Sequence, residues 1–159
     1  NLMLGSGIAP VAALRAAGAV VGLGTDGCAS NNDLDLFPAM DLAAKLQKVA
    51  RRDPAVMPAQ EVLRMATLDG ARALGLESEV GSRAPGKQAD LVLLDARAPH
   101  LTPMPHPVSA LVYAARGSDV RTVLVAGRVV VRDRNVLTVD VDEIMAAAAR
   151  AARRIGGTR

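Results

Sequence analysis

The chain has 159 residues, half of them hydrophobic and 22% charged, a composition that allows a packed core and excludes a disordered chain. One cysteine, two histidines, two aromatic residues and no tryptophan exclude a disulfide-rich scaffold, a zinc finger and a base-stacking nucleic-acid surface. The net charge of +3 is due to four arginines in the last ten residues, which we interpret as a solvated helix end. Those arginines are Arg150, Arg153, Arg154 and Arg159.

The sequence also bears on the compartment and on the extent of the protein. It has no apolar run of about 18 residues, so we expect no membrane span. The single Cys28 and the lack of a signal peptide favour a reducing, cytoplasmic location. Because the chain starts at Asn1 without an initiator methionine and enters apolar sequence at once, we interpret it as part of a longer protein.

The first half of the sequence follows the helix–strand–helix order of α/β proteins. We predict a short helix between Gly7 and Gly18, and then a strand over Ala19–Gly24, whose continuous apolar run suits burial on both faces. A helix over Leu34–Arg51 follows, capped by Asn32 or Asp33. A second helix is predicted over Pro58–Leu74 and ends at Gly75.

The second half is mostly β in character. We predict a strand over Ala89–Leu94, an irregular proline-rich loop over Ala98–Val108 and a weak strand over Leu111–Ala115. A hairpin is predicted over Val120–Val131, and an alanine- and arginine-rich helix over Val141–Ile155.

Asp26 is the strongest candidate for chemistry. It is one of two charged residues among the first 32, and it follows a predicted strand at the end where α/β proteins place catalytic groups. A carboxylate there should be poorly solvated and require a metal, a cation or hydrogen-bond donors. An Asp-Gly turn is an equally good interpretation from spacing alone. Ser30, Asn31 and Asn32 follow, either as donors to a polar ligand or as loop and cap residues.

The other reactive residue types are weaker candidates. Cys28 has no histidine near it in sequence to form a thiolate. His100 and His106 are six residues apart in a proline-rich segment, and this spacing does not place two metal ligands on one helix face. We therefore interpret Cys28 as a buried or incidental thiol and both histidines as loop residues.

Several stretches of the sequence together carry a family resemblance. They are residues 1–10, Gly-Thr-Asp-Gly at 24–27, Ser-Asn-Asn-Asp-Leu-Asp at 30–35, residues 66–75, and the Gly-Ser, Pro-Gly-Lys and Ala-Asp-Leu-Val groups within 81–92. These stretches resemble the amidohydrolase superfamily, in particular its methylthioadenosine/S-adenosylhomocysteine deaminase branch with the triazine-hydrolase relatives. The stretches within residues 1–35 are similar to the last barrel segments of that family. Residues 66–75 resemble its helix after the barrel, and the groups within 81–92 resemble its return into an accessory β-sandwich.

This resemblance implies an α/β fold. Residues 1–79 would be the C-terminal end of a metal-dependent-hydrolase (β/α)8 barrel, and residues 80–139 the C-terminal part of a small accessory β-sandwich. Residues 140–159 would form a terminal helix and tail.

The resemblance further implies a hydrolase of carbon–nitrogen bonds other than peptide bonds, most similar to enzymes that deaminate an adenosine-type nucleoside. Asp26 would be both a metal ligand and the catalytic acceptor of the proton from the attacking water. Ser30 and Asn31 would contact the substrate. The cofactor would be one divalent metal, with zinc favoured over iron, whose other ligands lie outside this chain, so we expect the chain alone to be inactive.

The implied partners are a small-molecule substrate and the missing N-terminal part of the same enzyme, with homo-oligomerisation left open and no nucleic acid or membrane. Two alternatives remain open at this point. One is a non-catalytic module that lacks the metal-binding histidines. The other is an enzyme for another substrate, such as a triazine or a guanine-like base.

Overall fold

A computed structural model describes residues 3–156, which form a helical N-terminal part, a four-stranded antiparallel sheet and a terminal helix. Asn1, Leu2 and Arg159, which contribute to the family resemblance and the basic tail, lie outside the described residues. The helices are α1 (Val11–Ala16), α2 (Leu36–Arg51), α3 (Ala59–Met65), α4 (Leu68–Ala73), α5 (Pro107–Tyr113) and α6 (Val141–Gly156). The strands are β1 (Leu91–Leu94), β2 (Val120–Val125), β3 (Arg128–Arg132) and β4 (Asn135–Val136), paired in that order.

The main core lies where α5 packs against α2 and α3. Its buried residues are Met40, Ala44, Met57, Val62, Met65 and Val112. Because α5 comes from the predicted β-rich half, the two halves of the sequence share this core. The predicted segment boundaries at residues 79 and 139 remain predictions.

The predicted strand over Ala19–Gly24 is wrong for the described chain, because these residues belong to no hydrogen-bonded strand pair there. A parallel strand needs neighbouring strands, and the sheet of residues 3–156 lies elsewhere. The segment is instead held by the Leu23 N–H, which donates to the Met65 carbonyl at 2.9 Å. It also approaches α4 closely, since a Cβ on Gly22 would lie 2.9 Å from the Gly70 Cα.

The single helix predicted over Pro58–Leu74 is wrong in its middle. Two helices, α3 and α4, are separated at Ala66 and Thr67, where Thr67 has φ −132° and ψ −97°. The break leaves the Met65 carbonyl available to the Leu23 N–H. This tertiary hydrogen bond takes the place of a hydrogen bond within a continuous helix. The predicted helix end is confirmed, because Gly75 follows α4 with a left-handed φ of +71°, as a C-terminal glycine commonly does.

The cap of α2 also differs from the prediction. The Asp35 carboxylate, and not Asn32 or Asp33, accepts the Phe37 N–H at 2.9 Å. Asp33 makes a similar bond in the residues just before the helix, where its Oδ1 accepts the Asp35 N–H at 2.9 Å. The helix therefore begins two residues later than the sequence predicts, at Leu36.

In the second half, the hairpin is confirmed. Ala126 and Gly127 both have positive φ, 49° and 78°, as a two-residue hairpin turn requires. The weak strand over Leu111–Ala115 is wrong, because most of it belongs to α5, where Pro107 starts the helix and Val112 enters the core. The predicted loop over Ala98–Val108 contains a 3₁₀ turn at Pro99–Leu101 and runs into α5.

The Gly-Lys-Gln-Ala-Asp stretch at residues 86–90 ties the helical part to the sheet. The Lys87 ammonium donates to the carbonyls of Glu77 and Val80. Asp90 Oδ1 accepts the Ala126 N–H of the hairpin turn at 2.7 Å. Each charged residue of the motif therefore has a structural role in this chain.

The last helix, α6, is confirmed as predicted. Every residue from 141 to 150 is exposed, including the apolar Val141, Ile144 and Met145. Within the described residues, no helix combines the length and the apolarity that crossing a membrane requires.

Candidate functional site

Asp26 lies in a turn that follows the 19–24 segment. Its backbone is left-handed, with φ 64°, and its Oδ1 accepts the Gly27 N–H at 2.7 Å. The expected poor solvation is wrong, because residues 26–29 are all exposed in the described chain. The carboxylate is therefore open to solvent and to any ligand that approaches the turn.

Two donors stabilise the charged form of Asp26. The hydroxyl of Ser30, and then the Gly27 N–H, hold the pKa of the Asp26 carboxyl below its ordinary value. The same hydroxyl lies 3.1 Å from the Gly27 carbonyl, and its single proton is donated to one of these two acceptors at a time. Asp26 is thus an anion at neutral pH, as a metal ligand or a proton acceptor must be.

Asn31 uses both ends of its side-chain amide inside the loop. Its Nδ2 donates to the Thr25 carbonyl at 2.7 Å, and its Oδ1 accepts the Asp33 N–H at 3.2 Å. Asn31 therefore holds the loop that contains Asp26. The substrate contacts expected for Ser30 and Asn31 remain predictions.

An open groove of about 530 Å³ runs beside Asp26, between the loop that contains Asp26 and helices α1 and α2. Its lining is mostly apolar, with a few polar groups at the loop end, which is the usual composition of a small-molecule site. Representative lining residues are Ile8, Val11, Leu23, Asp26, Asn31 and Leu42.

Gln47 is a residue of this groove that sequence reasoning missed. It is buried in α2, donates to the Ala9 carbonyl at 2.8 Å and accepts the Ala12 N–H at 3.2 Å. It thereby fixes the start of α1 against α2. The helical spacing could have revealed it, because Gln47 lies three residues after Ala44 and seven after Met40, on the apolar face of the helix.

Asp26 is the predicted metal ligand, and the described residues offer no full set of ligands around it. Between residues 3 and 156, no cluster of three or more His, Cys, Asp or Glu side chains could hold a metal ion. A catalytic zinc takes about three protein ligands, and carboxylate oxygen is among its usual donors. The exposed, ionised carboxylate of Asp26 fits such a metal as a single ligand.

The other reactive residues lie apart from any common centre. Cys28 is exposed, and His106 directly precedes α5. His100 Nε2 lies 2.9 Å from Oδ2 of the buried Asp119. Burial raises the pKa of Asp119, but the hydrogen bonds from His100 and the Arg116 N–H outweigh burial and hold the pKa below its ordinary value. Sequence spacing did not indicate the His100–Asp119 pair, whose members are 19 residues apart.

Comparison with known proteins identifies the family of the chain. The profile of the amidohydrolase family matches residues 1–130. The chain belongs to the amidohydrolase family.

Individual relatives are more specific. The chain is 57% identical over 145 residues to the 5-methylthioadenosine/S-adenosylhomocysteine deaminase of Syntrophobacter fumaroxidans, covering 91% of this chain and 33% of that protein. It is 49% identical over 157 residues to the 5'-deoxyadenosine deaminase of Methanothermobacter thermautotrophicus, covering 99% of this chain and 36% of that protein. The chain thus spans about a third of the length of these relatives.

Solved structures give the same picture. A zinc-bound adenosine deaminase from Xanthomonas campestris is 42% identical with a TM-score of 0.96, over 99% of this chain and 36% of that one. A zinc complex of atrazine chlorohydrolase from Arthrobacter aurescens is 29% identical with a TM-score of 0.85, over 94% of this chain and 33% of that one.

Proposed function

We propose that this chain is the C-terminal third of a metal-dependent deaminase that removes an amino group from an adenosine-type nucleoside. The proposal is supported by the relatives named for methylthioadenosine, S-adenosylhomocysteine and 5'-deoxyadenosine. These compounds share the adenine base and differ in the group at the 5' carbon. The adenine amino group is therefore the position at which we expect hydrolysis.

The observation that carries this proposal is the ionised Asp26 at the edge of an apolar groove. We propose that Asp26 is one ligand of a divalent metal, zinc before iron, and that the remaining ligands come from the rest of the enzyme. When bound, such a metal supplies Lewis acidity that lowers the pKa of water. The Asp26 carboxylate accepts a proton, and the Ser30 hydroxyl and the Gly27 N–H favour its charged form. The groove beside it receives the nucleoside.

The finer architecture is part of the same proposal. Residues 1–79 would complete a (β/α)8 barrel, residues 80–139 would complete a β-sandwich, and residues 140–159 would form the terminal helix and tail. The 19–24 segment would then gain strand neighbours from the rest of the enzyme. We expect the proposed enzyme to be cytoplasmic and to act on a small-molecule substrate.

The test is Asp26→Asn in the intact enzyme. We expect the rate of methylthioadenosine deamination, measured as ammonia release, to fall by about 10²–10⁴-fold, because the variant loses a general base. Asp133→Asn is the matched control, because Asp133 is also exposed and also has a positive φ, 46°, but lies outside the groove. Near-normal turnover by the Asp26 variant would overturn the assigned role.

A triazine substrate is the second candidate, and the similarity to the atrazine chlorohydrolase structure favours it. The higher identity to nucleoside deaminases, 57% against 29%, supports the first candidate. Measuring kcat/KM of the intact enzyme for methylthioadenosine and for atrazine decides between them. An intact enzyme that binds no metal and acts on neither would instead support the non-catalytic module.

A further inference from the structure

We propose that Asp35 is a positioning residue for the loop that contains Asp26, because it fastens this loop to a distant turn at Gly117. The Asp35 latch is defined here as the two hydrogen bonds that the Asp35 carboxylate accepts, from the Phe37 N–H and the Gly117 N–H. The inference rests on the proposed function, since it assigns Asp35 to the site around Asp26.

A series of side-chain-to-backbone hydrogen bonds connects Asp26 to the latch. Asn31 donates to the carbonyl of Thr25, the residue before Asp26, at 2.7 Å. Asn31 Oδ1 then accepts the Asp33 N–H at 3.2 Å, and Asp33 Oδ1 accepts the Asp35 N–H at 2.9 Å. The polar residues of the loop thus join the position of Asp26 to the start of α2.

Asp35 ends this series with both carboxylate oxygens engaged. Oδ1 accepts the Phe37 N–H at 2.9 Å, which begins α2, and Oδ2 accepts the Gly117 N–H at 2.6 Å. The second bond joins positions 82 residues apart. A Cβ on residue 117 would lie 2.8 Å from Asp35 Oδ2, so a larger residue there would displace the carboxylate from this bond.

The turn that receives Asp35 is itself fixed. The buried Asp119 accepts the Arg116 N–H at 2.9 Å and contacts His100 Nε2 at the same distance. The Asp119 carbonyl accepts the Asp95 N–H at 2.9 Å, next to the end of β1. The Gly117 N–H therefore belongs to a segment that is tied to the sheet, and the latch anchors the loop that contains Asp26 to this segment.

Two single substitutions break the latch from opposite sides in the intact enzyme. Asp35→Asn leaves one acceptor oxygen for the two N–H donors of the latch. The amide NH₂ then faces the N–H donor that has lost its acceptor. Gly117→Ala introduces a methyl group where Asp35 Oδ2 lies. Asp53→Asn is the matched control, because Asp53 Oδ1 accepts the Ala55 N–H at 2.8 Å in an exposed turn of the same kind outside the groove.

We expect both latch variants to lower kcat by about 10- to 100-fold through misplacement of the Asp26 loop. Amide hydrogen exchange should accelerate in residues 26–34 and remain unchanged in α3 and α6. The Asp53 variant should match the parent enzyme in both measurements. The double variant should be no more impaired than the worse single variant, since both substitutions remove one interaction.

Unchanged exchange in residues 26–34 for both single variants, or effects on kcat that multiply in the double variant, would overturn the latch. Exchange that rises equally throughout the chain would also overturn it, because that pattern indicates a general structural role. The two proposals fail separately. An active Asp26→Asn enzyme removes the proposed function, whereas an inactive one together with normal Asp35 and Gly117 variants removes only the latch.

Discussion

The Asp69 carboxylate joins three helices around one buried charge. Arg15 of α1 donates to it at 2.9 Å and Arg64 of α3 at 3.2 Å, while Asp69 itself belongs to α4. Burial raises the pKa of Asp69, but the hydrogen bonds from Arg15 and Arg64 outweigh burial and place the pKa below its ordinary value. Asp69 therefore stabilises the folded chain in its charged form.

The direction of this pKa change fixes how stability depends on pH. Because the folded pKa is lower than the unfolded value of about 4, the stabilisation is complete above pH 4 and is lost as pH falls through the folded pKa. Asp69→Asn should therefore lower the free energy of unfolding at pH 7 by about 1–3 kcal/mol. In urea denaturation of the intact protein, the difference in the free energy of unfolding between this variant and the parent should shrink below pH 4.

The control for Asp69 is Asp133→Asn. Asp133 pairs with Arg121 at 2.7 Å, but its side chain is 60% exposed against 7% for Asp69. An exposed pair contributes less than about 1 kcal/mol. A loss in the Asp69 variant that is equal at pH 7 and pH 3 would contradict the assignment to its charge.

At the scale of the elements, the position of the 19–24 segment depends on its contact with α4. The Gly22 backbone lies against Gly70, and the Leu23 N–H reaches the carbonyl freed at the α3–α4 break. These two contacts hold the segment that leads into Asp26. The shape of the site thus depends on a packing contact that only glycine allows.

Gly22→Ala should destabilise the intact enzyme by about 1–3 kcal/mol, because its Cβ would meet backbone and not a flexible side chain. Gly24→Ala is the matched control from the same segment, since its Cβ would have no atom of the described chain within 4 Å. Thermal unfolding measures both. Equal melting temperatures for the two variants would show that the Gly22–Gly70 contact is not tight in solution.

The sequence predicted those elements whose cause is local. The hairpin follows from its Ala-Gly turn, α6 from its helical pattern, and the end of α4 from Gly75. The α3–α4 break and α5 were missed because long-range contacts determine them, through the Met65 carbonyl and the burial of Val112. Asp26 was singled out because a lone charge after an apolar run is visible in sequence, and its role remains a prediction.

The arrangement around the candidate site was beyond sequence reasoning for the same reason. Asp35 was visible only as part of a family-like stretch, and its partner Gly117 is 82 residues away. The pairing of His100 with Asp119 likewise depends on the packing of a loop against the start of β2. These contacts join segments whose local patterns give no sign of each other.

At the scale of the whole molecule, many large apolar side chains are exposed. Among the most exposed are Met3, Leu4, Val49, Leu74 and Ile155, each at 60% or more. Exposed apolar surface of this extent marks contact surfaces or aggregation sites. It accords with a chain that spans about a third of the length of its relatives.

We therefore expect the 159-residue chain, expressed alone, to aggregate and to bind less than one zinc per chain. A single metal ligand cannot hold zinc tightly, since a catalytic site takes about three. Size-exclusion chromatography and elemental analysis of the purified chain measure these properties. A monomer with a sharp unfolding transition and one tightly bound zinc would contradict both expectations.

The bond between Asp35 and Gly117 has a consequence for laboratory evolution of the proposed deaminase. A library restricted to residues that line the groove would miss the turn at 116–119, although that turn holds the far end of the loop that contains Asp26. Selection of the proposed deaminase for activity on a bulkier nucleoside should return substitutions at both ends of the bond together, since a change at one end alters which residues are tolerated at the other. Paired randomisation of positions 35 and 117 is the direct way to reach such variants.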